Sequence, residues 1–220
     1  MTLDFIACQE GTDRASNGLH DYMRTYGEIF YQIRYDPIAL LEIGVLGGAG
    51  IRTWARYFAH PSARIYGLDP HPEFCQPIED ARVQLLNCRQ EDTEKLNTLL
   101  GLTVFNICID DGGHFASAQI KSFNALWPRI VPGGFYCCED LHSYAAPELC
   151  DAAENIMKSM TRIATEMQGK GAKAVGKFEP SDLWPDIDTV MFRKGLCVIR
   201  KKPEPPSQCS NPCLLDCARS

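Results

Sequence analysis

Two apolar, β-rich runs in this chain each end in a cluster of acids. Val104-Phe105-Asn106-Ile107-Cys108 leads into Ile109-Asp110-Asp111-Gly112-Gly113-His114, and Gly134-Phe135-Tyr136-Cys137 leads into Cys138-Glu139-Asp140-Leu141-His142. Runs this apolar read as buried strands, so acids at their ends can converge on one small volume. Carboxylates gathered there repel one another unless a positive charge lies between them, and a divalent cation supplies it economically. His114, three residues past Asp111, adds a proton acceptor.

Strand-like and helix-like segments alternate around these runs, the pattern of an α/β fold with a mostly parallel sheet and helices on both faces. The pattern predicts strands at 38–43, 64–68, 83–86, 104–110 and 135–138, and helices over 10–34, 49–58, 91–100, 116–130 and 146–166. Residues 169–185 read as loop. Segments 189–192 and 196–199 flank Arg193-Lys194-Gly195 as a closing antiparallel hairpin, which completes a seven-stranded sheet. A length of 220 residues suits a single domain, here spanning 37–202, with an N-terminal helical segment at 1–36 and a Pro- and Ser-rich tail at 203–220.

A net charge of -6 argues against nucleic acid or an anionic membrane as the main partner. Met1-Thr2-Leu3-Asp4 lacks the basic start of a signal peptide, and no apolar run approaches the roughly 18 residues of a membrane span. A cytoplasmic location is the default expectation. The 11 cysteines are therefore read as reduced thiols. Cys108, Cys137, Cys138 and Cys197 lie inside strand-like runs, where cysteine packs as a small apolar residue. Cys209, Cys213 and Cys217 recur every fourth residue without the spacing of a common zinc site, so a plain tail is the favoured reading over metal ligation.

Between the first strand and the next helix lies Leu41-Glu42-Ile43-Gly44-Val45-Leu46-Gly47-Gly48-Ala49-Gly50. Glycines at such a turn let the backbone approach a ligand closely. The spacing, acid-x-Gly-x-x-x-Gly over Glu42, Gly44 and Gly48, does not meet the nicotinamide fingerprint, because Thr53 stands at the third glycine position counted from Gly48 and Gly50. Asp69 ends the second strand in Tyr66-Gly67-Leu68-Asp69-Pro70, where an acid can accept both ribose hydroxyls. Turn and acid together point to a nucleoside-containing ligand.

With these pieces together, the chain resembles class I S-adenosylmethionine-dependent methyltransferases. More narrowly, it is similar to the metal-dependent macrolide sugar O-methyltransferases. The resemblance is carried by Gly11-Thr12-Asp13-Arg14 with His20 and Tyr22, and by Leu41-Glu42-Ile43-Gly44 with Trp54 and Tyr57-Phe58. It continues through Asp110-Asp111-Gly112-Gly113-His114 and through Pro132-Gly133-Gly134-Phe135-Tyr136 to Glu139-Asp140. It implies a Rossmann-like methyltransferase domain, with S-adenosylmethionine held by Glu42, Gly44, Gly48 and Asp69. Where the family reads Gly-Asp-Gln this chain has Cys88-Arg89-Gln90, which leaves Gln90, Glu91 or Asp92 to reach the adenine. Asp110 is expected beside the cofactor. The resemblance further implies Mg²⁺ on Asp111, Glu139 and Asp140, and His114 as general base next to Asp111. The acceptor would be a hydroxyl of a small secondary metabolite, of sugar or polyketide type. The opening segment would be a lid, with Asp13, His20, Tyr22 and Tyr26 closing over donor or acceptor. For the two tyrosines, an aromatic stripe packed on the sheet is the simpler reading. The aromatic N-terminal helix also invites a homo-oligomer. The alternative function is a cyclase or isomerase on the same fold that transfers no methyl group.

Overall fold

A computed structural model describes residues 1–141, 186–193 and 195–205. Strands β1 (Ala39–Ile43), β2 (Arg64–Asp69), β3 (Val83–Asn87), β4 (Phe105–Asp110), β5 (Ile130–Cys138), β6 (Ile187–Arg193) and β7 (Leu196–Lys201) form one sheet in the order β3-β2-β1-β4-β5-β7-β6. The first five strands run parallel; β7 pairs antiparallel with both β5 and β6. This is the mostly parallel seven-stranded sheet with a closing hairpin that the residue pattern predicts.

The central strands are largely apolar because both of their faces are covered. Successive side chains alternate, so each strand feeds two cores. Leu40, Ile65, Ile107, Ile109 and Cys137 pack on one side with helices α1 (Leu3–Glu10), α2 (Tyr22–Ile29) and α3 (Ala49–Tyr57). Leu41, Ile43, Leu68, Cys108 and Tyr136 face the other way, toward Leu96 and Leu100 of α4 (Thr93–Leu100) and Leu126 of α5 (Ala116–Leu126). Asp92 caps α4 by accepting from the Lys95 amide over 3.1 Å.

The N-terminal segment differs from the single helix expected over 10–34. Gly11, with φ 75°, ends α1 in the left-handed conformation that glycine adopts without steric cost. Residues 12–21 are turns, held where the Leu19 and His20 amides both donate to the Asp13 carbonyl, at 2.8 and 3.1 Å. Helix α2 then carries Tyr22, Tyr26 and, at its end, Phe30 into the first core beside Trp54. Strand β5 starts five residues earlier than expected, because Ile130 pairs with Phe105 and the ladder resumes at Ile107 and Phe135 after an irregularity. The helix expected at 146–166, the loop at 169–185, His142 and Cys209, Cys213 and Cys217 lie outside the described residues. Among the described residues, no helix is long and apolar enough to cross a membrane.

Register positions the site. Ile43 pairs with Leu68 on one side and Asp110 on the other, and Asp110 pairs with Cys138. The C-terminal ends of β2, β1, β4 and β5 are therefore level. The ladder runs one residue further, with Gly44 N donating to Leu68 O (2.8 Å), Asp111 N to Ile43 O (3.0 Å) and Glu139 N to Asp110 O (2.9 Å). Glu42, Asp69, Asp111 and Glu139 thus emerge along one sheet edge, the place where open parallel sheets bind ligands.

Candidate active site

The glycine turn is shaped by close approach. Gly44 has φ 87°, and a Cβ there would lie 2.0 Å from the Asp111 carbonyl oxygen. The turn after β1 thereby sits directly against the turn after β4. Asp69 fixes the same turn from β2: its Oδ2 accepts from the Val45 and Leu46 amides at 2.8 and 3.2 Å, and its Oδ1 accepts from His71 N at 2.7 Å. Gly48, φ 82°, precedes α3. A Cβ at Gly47 would meet nothing within 4 Å, and Leu46 is exposed, so the outer face of the turn is open.

Asp110 and Asp111 are neighbours in sequence with opposite fates, as period-two alternation requires. Asp110 is fully buried on the α5 side. It accepts from Ser122 Oγ (2.5 Å), Tyr136 Oη (2.8 Å), Gln90 Nε2 (3.0 Å) and, more weakly, the Gly112 amide (3.4 Å). Burial lifts its carboxyl above the usual range, against the pull of these donors. Gln90 uses both ends of its amide inside the protein: Nε2 on Asp110, and Oε1 accepting from Gly113 N at 2.7 Å. A Cβ at Gly112 would stand 2.0 Å from that same Oε1. The two residues expected beside the cofactor are thus turned onto the 111–114 loop.

The positive charge between the acids is a protein side chain. Arg14, 3% exposed, sends Nε to Glu139 Oε2 (2.8 Å), Nη1 to Glu42 Oε2 (3.1 Å) and Nη2 to Asp111 Oδ2. One guanidinium therefore ties together the ends of β1, β4 and β5. Glu42 Oε2 also accepts from Trp54 Nε1, and Tyr26 Oη donates to Glu139 Oε1 over 2.7 Å. Burial raises the carboxyls of Glu42, Asp111 and Glu139, with Arg14 pulling each back toward ionisation. Burial alone would lower Arg14, but Asp111, Glu139 and Glu42 hold it well above its ordinary value. Among the described residues, Arg14 is shared by Glu42, Asp111 and Glu139, with Asp140 close by, so acids outnumber it at the edge.

That excess lies toward the surface. Asp111, His114 and Asp140, all half-buried, present ligand atoms within 4.8 Å of one another. His114 Nε2 is 3.8 Å from Asp140 Oδ2 and 4.0 Å from Asp111 Oδ1, while its buried Nδ1 has no hydrogen-bond partner among the described residues. Asp140 Oδ1 accepts from Tyr22 Oη at 2.9 Å and lies 3.5 Å from His20 Nδ1. His114 and Asp140 both have φ 54°. Glu139 stands apart from this trio because both of its oxygens are taken by Arg14 and Tyr26.

The expected residues are accordingly divided among four places: Glu42, Gly44, Gly48 and Asp69 around the turn, Gln90 and Asp110 beneath the loop, Asp111, His114 and Asp140 toward the surface, and Glu139 apart, on Arg14 and Tyr26. The N-terminal segment contributes more than aromatic packing. Tyr22 and Tyr26 bury their rings and deliver their hydroxyls to Asp140 and Glu139. Arg14 belongs to the Gly-Thr-Asp-basic opening, and that motif was the only sequence signal for it.

Residues 41–141 match the family described as "Methyltransferase domain". The Streptomyces olivaceus protein 8-demethyl-8-(2-methoxy-alpha-L-rhamnosyl)-tetracenomycin-C 3'-O-methyltransferase is 32% identical over 152 residues, which is 66% of this chain and 38% of that protein. Mycinamicin VI 2''-O-methyltransferase of Micromonospora griseorubida is 34% identical over 131 residues, 56% of this chain and 32% of that one. The chain spans less than half the length of these curated relatives. Among solved structures, the MycE methyltransferase from the mycinamycin biosynthetic pathway, in complex with Mg and SAH, superposes with a TM-score of 0.69. The match covers 92% of this chain and 55% of that one at 24% identity, and the likeness is one of fold.

Proposed function

Because this chain carries a class I S-adenosylmethionine-dependent methyltransferase domain, related to sugar O-methyltransferases, we propose that it methylates a hydroxyl of a small secondary metabolite, using S-adenosylmethionine and Mg²⁺. The acceptor class, sugar or polyketide, rests on what the relatives are named for. The observation that carries the reading is the gathering of Asp111, His114 and Asp140, past the ends of β4 and β5, at the same sheet edge as the glycine turn that follows β1.

The residues present fit both groups. The turn is open on its outer face and has no room for side chains on its inner one, as a close backbone approach to a ligand requires. Glu42, Gly44, Gly48 and Asp69 would hold S-adenosylmethionine, which supplies an electrophilic methyl group and leaves as the thioether. Two carboxylates gathered beside the His114 imidazole suit a divalent ion. Asp111 and Asp140 would hold Mg²⁺, with Glu139 joining them where Arg14 or Tyr26 yields an oxygen, and the ion would acidify a hydroxyl oxygen bound to it.

The chain's own work is placement and proton transfer. His114 takes the acceptor's proton on Nε2, the nitrogen nearest Asp111 and Asp140, and their negative charge stabilises the imidazolium that results. Tyr22 and His20 hold Asp140 from its other oxygen. Gln90 and Asp110 fix the loop that spaces Asp111 from His114. Holding oxygen and methyl carbon in line accounts for most of the acceleration, because the sulfonium is already a good leaving group. The test is to incubate the purified chain with donor, Mg²⁺ and a panel of glycosides and polyketide alcohols. A product heavier by one methyl group, lost on chelation and in His114→Ala, is expected. Turnover indifferent to chelator, or rearrangement without donor consumption, would refute the reading.

A further inference from the structure

Arg14 occupies the place where the acids alone would call for a metal. All three nitrogens of its guanidinium bond carboxylates, one within β1 and two just past the ends of β4 and β5. Glu139 has no free oxygen: Oε1 accepts from Tyr26 and Oε2 from Arg14. Asp111 gives Oδ2 to Arg14, and its Oδ1 faces His114. A divalent ion that draws on Glu139 as well as Asp111 and Asp140 must therefore displace Tyr26 from Oε1 or Arg14 from Oε2, and only the second exchange swaps one cation for another. Glu42, bonded to Nη1, offers the guanidinium an anchor that it need not leave.

We infer that Arg14 is the resident counter-cation of this site and competes with the divalent ion for Glu139 and Asp111. Ion binding exchanges the guanidinium for the metal at those two acids while Arg14 keeps its pair with Glu42. Arg14 thereby sets the affinity for the ion. It also couples ion binding to the N-terminal segment, since the Arg14 carbonyl accepts from Met23 N at 3.0 Å and its amide donates to Thr12 Oγ1 at 3.4 Å. The inference deepens the metal-dependent reading above and rests on it.

Mn²⁺ binding to the full chain, followed by calorimetry and by the electron paramagnetic resonance of the free ion, tests this. If Arg14 holds the acids in about nine molecules of ten, Arg14→Gln binds Mn²⁺ about tenfold tighter than wild type, and adding Glu139→Gln removes that gain. Arg14→Lys keeps the charge without the fork and falls between the two. In the wild type, saturating Mn²⁺ speeds hydrogen exchange of the Met23 amide. Unchanged or weaker Mn²⁺ binding by Arg14→Gln, or a gain that survives Glu139→Gln, overturns the inference. If Arg14→Gln does not fold, wild-type affinity in Arg14→Lys together with unaltered exchange at Met23 overturns it equally. Mn²⁺ binding by Arg14→Gln alone would uphold the competition while sinking the metal requirement. No binding by any variant would end both.

Discussion

Arg14 Nε donates to Glu139 Oε2 over 2.8 Å, a buried contact that joins the turn after α1 to the end of β5 across 125 residues of chain. Removing one partner of such a pair strands the other's charge away from water. Arg14→Met is expected to lower stability by about 3–5 kcal/mol at neutral pH. Burial already holds Glu42, Asp111 and Glu139 above the usual carboxylate range, and without Arg14 they rise further. An acid with a raised pKa in the folded state loses stability as pH rises through that value, so acidification favours the variant. Urea denaturation at about pH 8 and about pH 5 should show the deficit shrinking at the lower pH. A deficit that widens on acidification would contradict the assignment.

Gln90 bridges Asp110 and the Gly113 amide. Gln90→Leu leaves the buried Asp110 carboxylate and the Gly113 amide each short of a partner, a loss of roughly 1–3 kcal/mol. Because its amide faces the loop, methyl transfer should fall about tenfold or more while affinity for S-adenosylhomocysteine changes less than about threefold. Calorimetry beside steady-state kinetics separates the two. A large loss of nucleoside affinity with turnover preserved would return Gln90 to the adenine.

Gly50 faces Glu42 and Arg14 so closely that a Cβ would lie 2.4 Å from Glu42 Oε1 and 2.5 Å from Arg14 Nη1. Gly50→Ala, harmless to an ordinary helix, must push the ion pair apart. Weaker donor binding and a lower melting temperature are expected together; a variant with a raised melting temperature would show the crowding to be wrongly placed.

Thiol chemistry reads out the two cores. Burial pushes Cys197 up to about 12, and Cys108, Cys137 and Cys138 well above the ordinary thiol value. Only the thiolate is alkylated, so these four should stay unmodified by iodoacetamide at about pH 8.5 in the folded protein and react once urea is added. Peptide mapping decides it, and rapid native labelling at any of the four would contradict the buried placement.

The sheet was legible because buried parallel strands leave uninterrupted apolar runs, and the acids that end them can only gather at one edge. The divergence of Asp110 from Asp111 is also written in the sequence. Cys108 and Tyr136 share a face with Asp110, and Ile109 with Asp111, so strict alternation along β4 separates the two acids. The N-terminal break was signalled by Gly11, but the tyrosines at helical spacing outweighed it. Arg14 was legible as part of the Gly-Thr-Asp-basic opening, but its partners were not. Nothing local tells a basic residue that its partners lie 28, 97 and 125 positions away. The electrostatic demand was readable from the acids, while the identity of the cation that meets it depends on where the turns at 12–21 deliver a side chain.

His114 and Asp140 hold their backbones at φ 54°, a conformation that glycine reaches freely and that costs other residues about 1–2 kcal/mol. The imidazole and the carboxylate that flank the candidate ion are thus kept in place against a local preference of the main chain. Thermal hardening of this domain by the familiar route of relieving left-handed strain would reach Asp21 and Leu46 without harm to the trio, but would also reach these two positions. There it would yield a tougher protein with its chemistry erased.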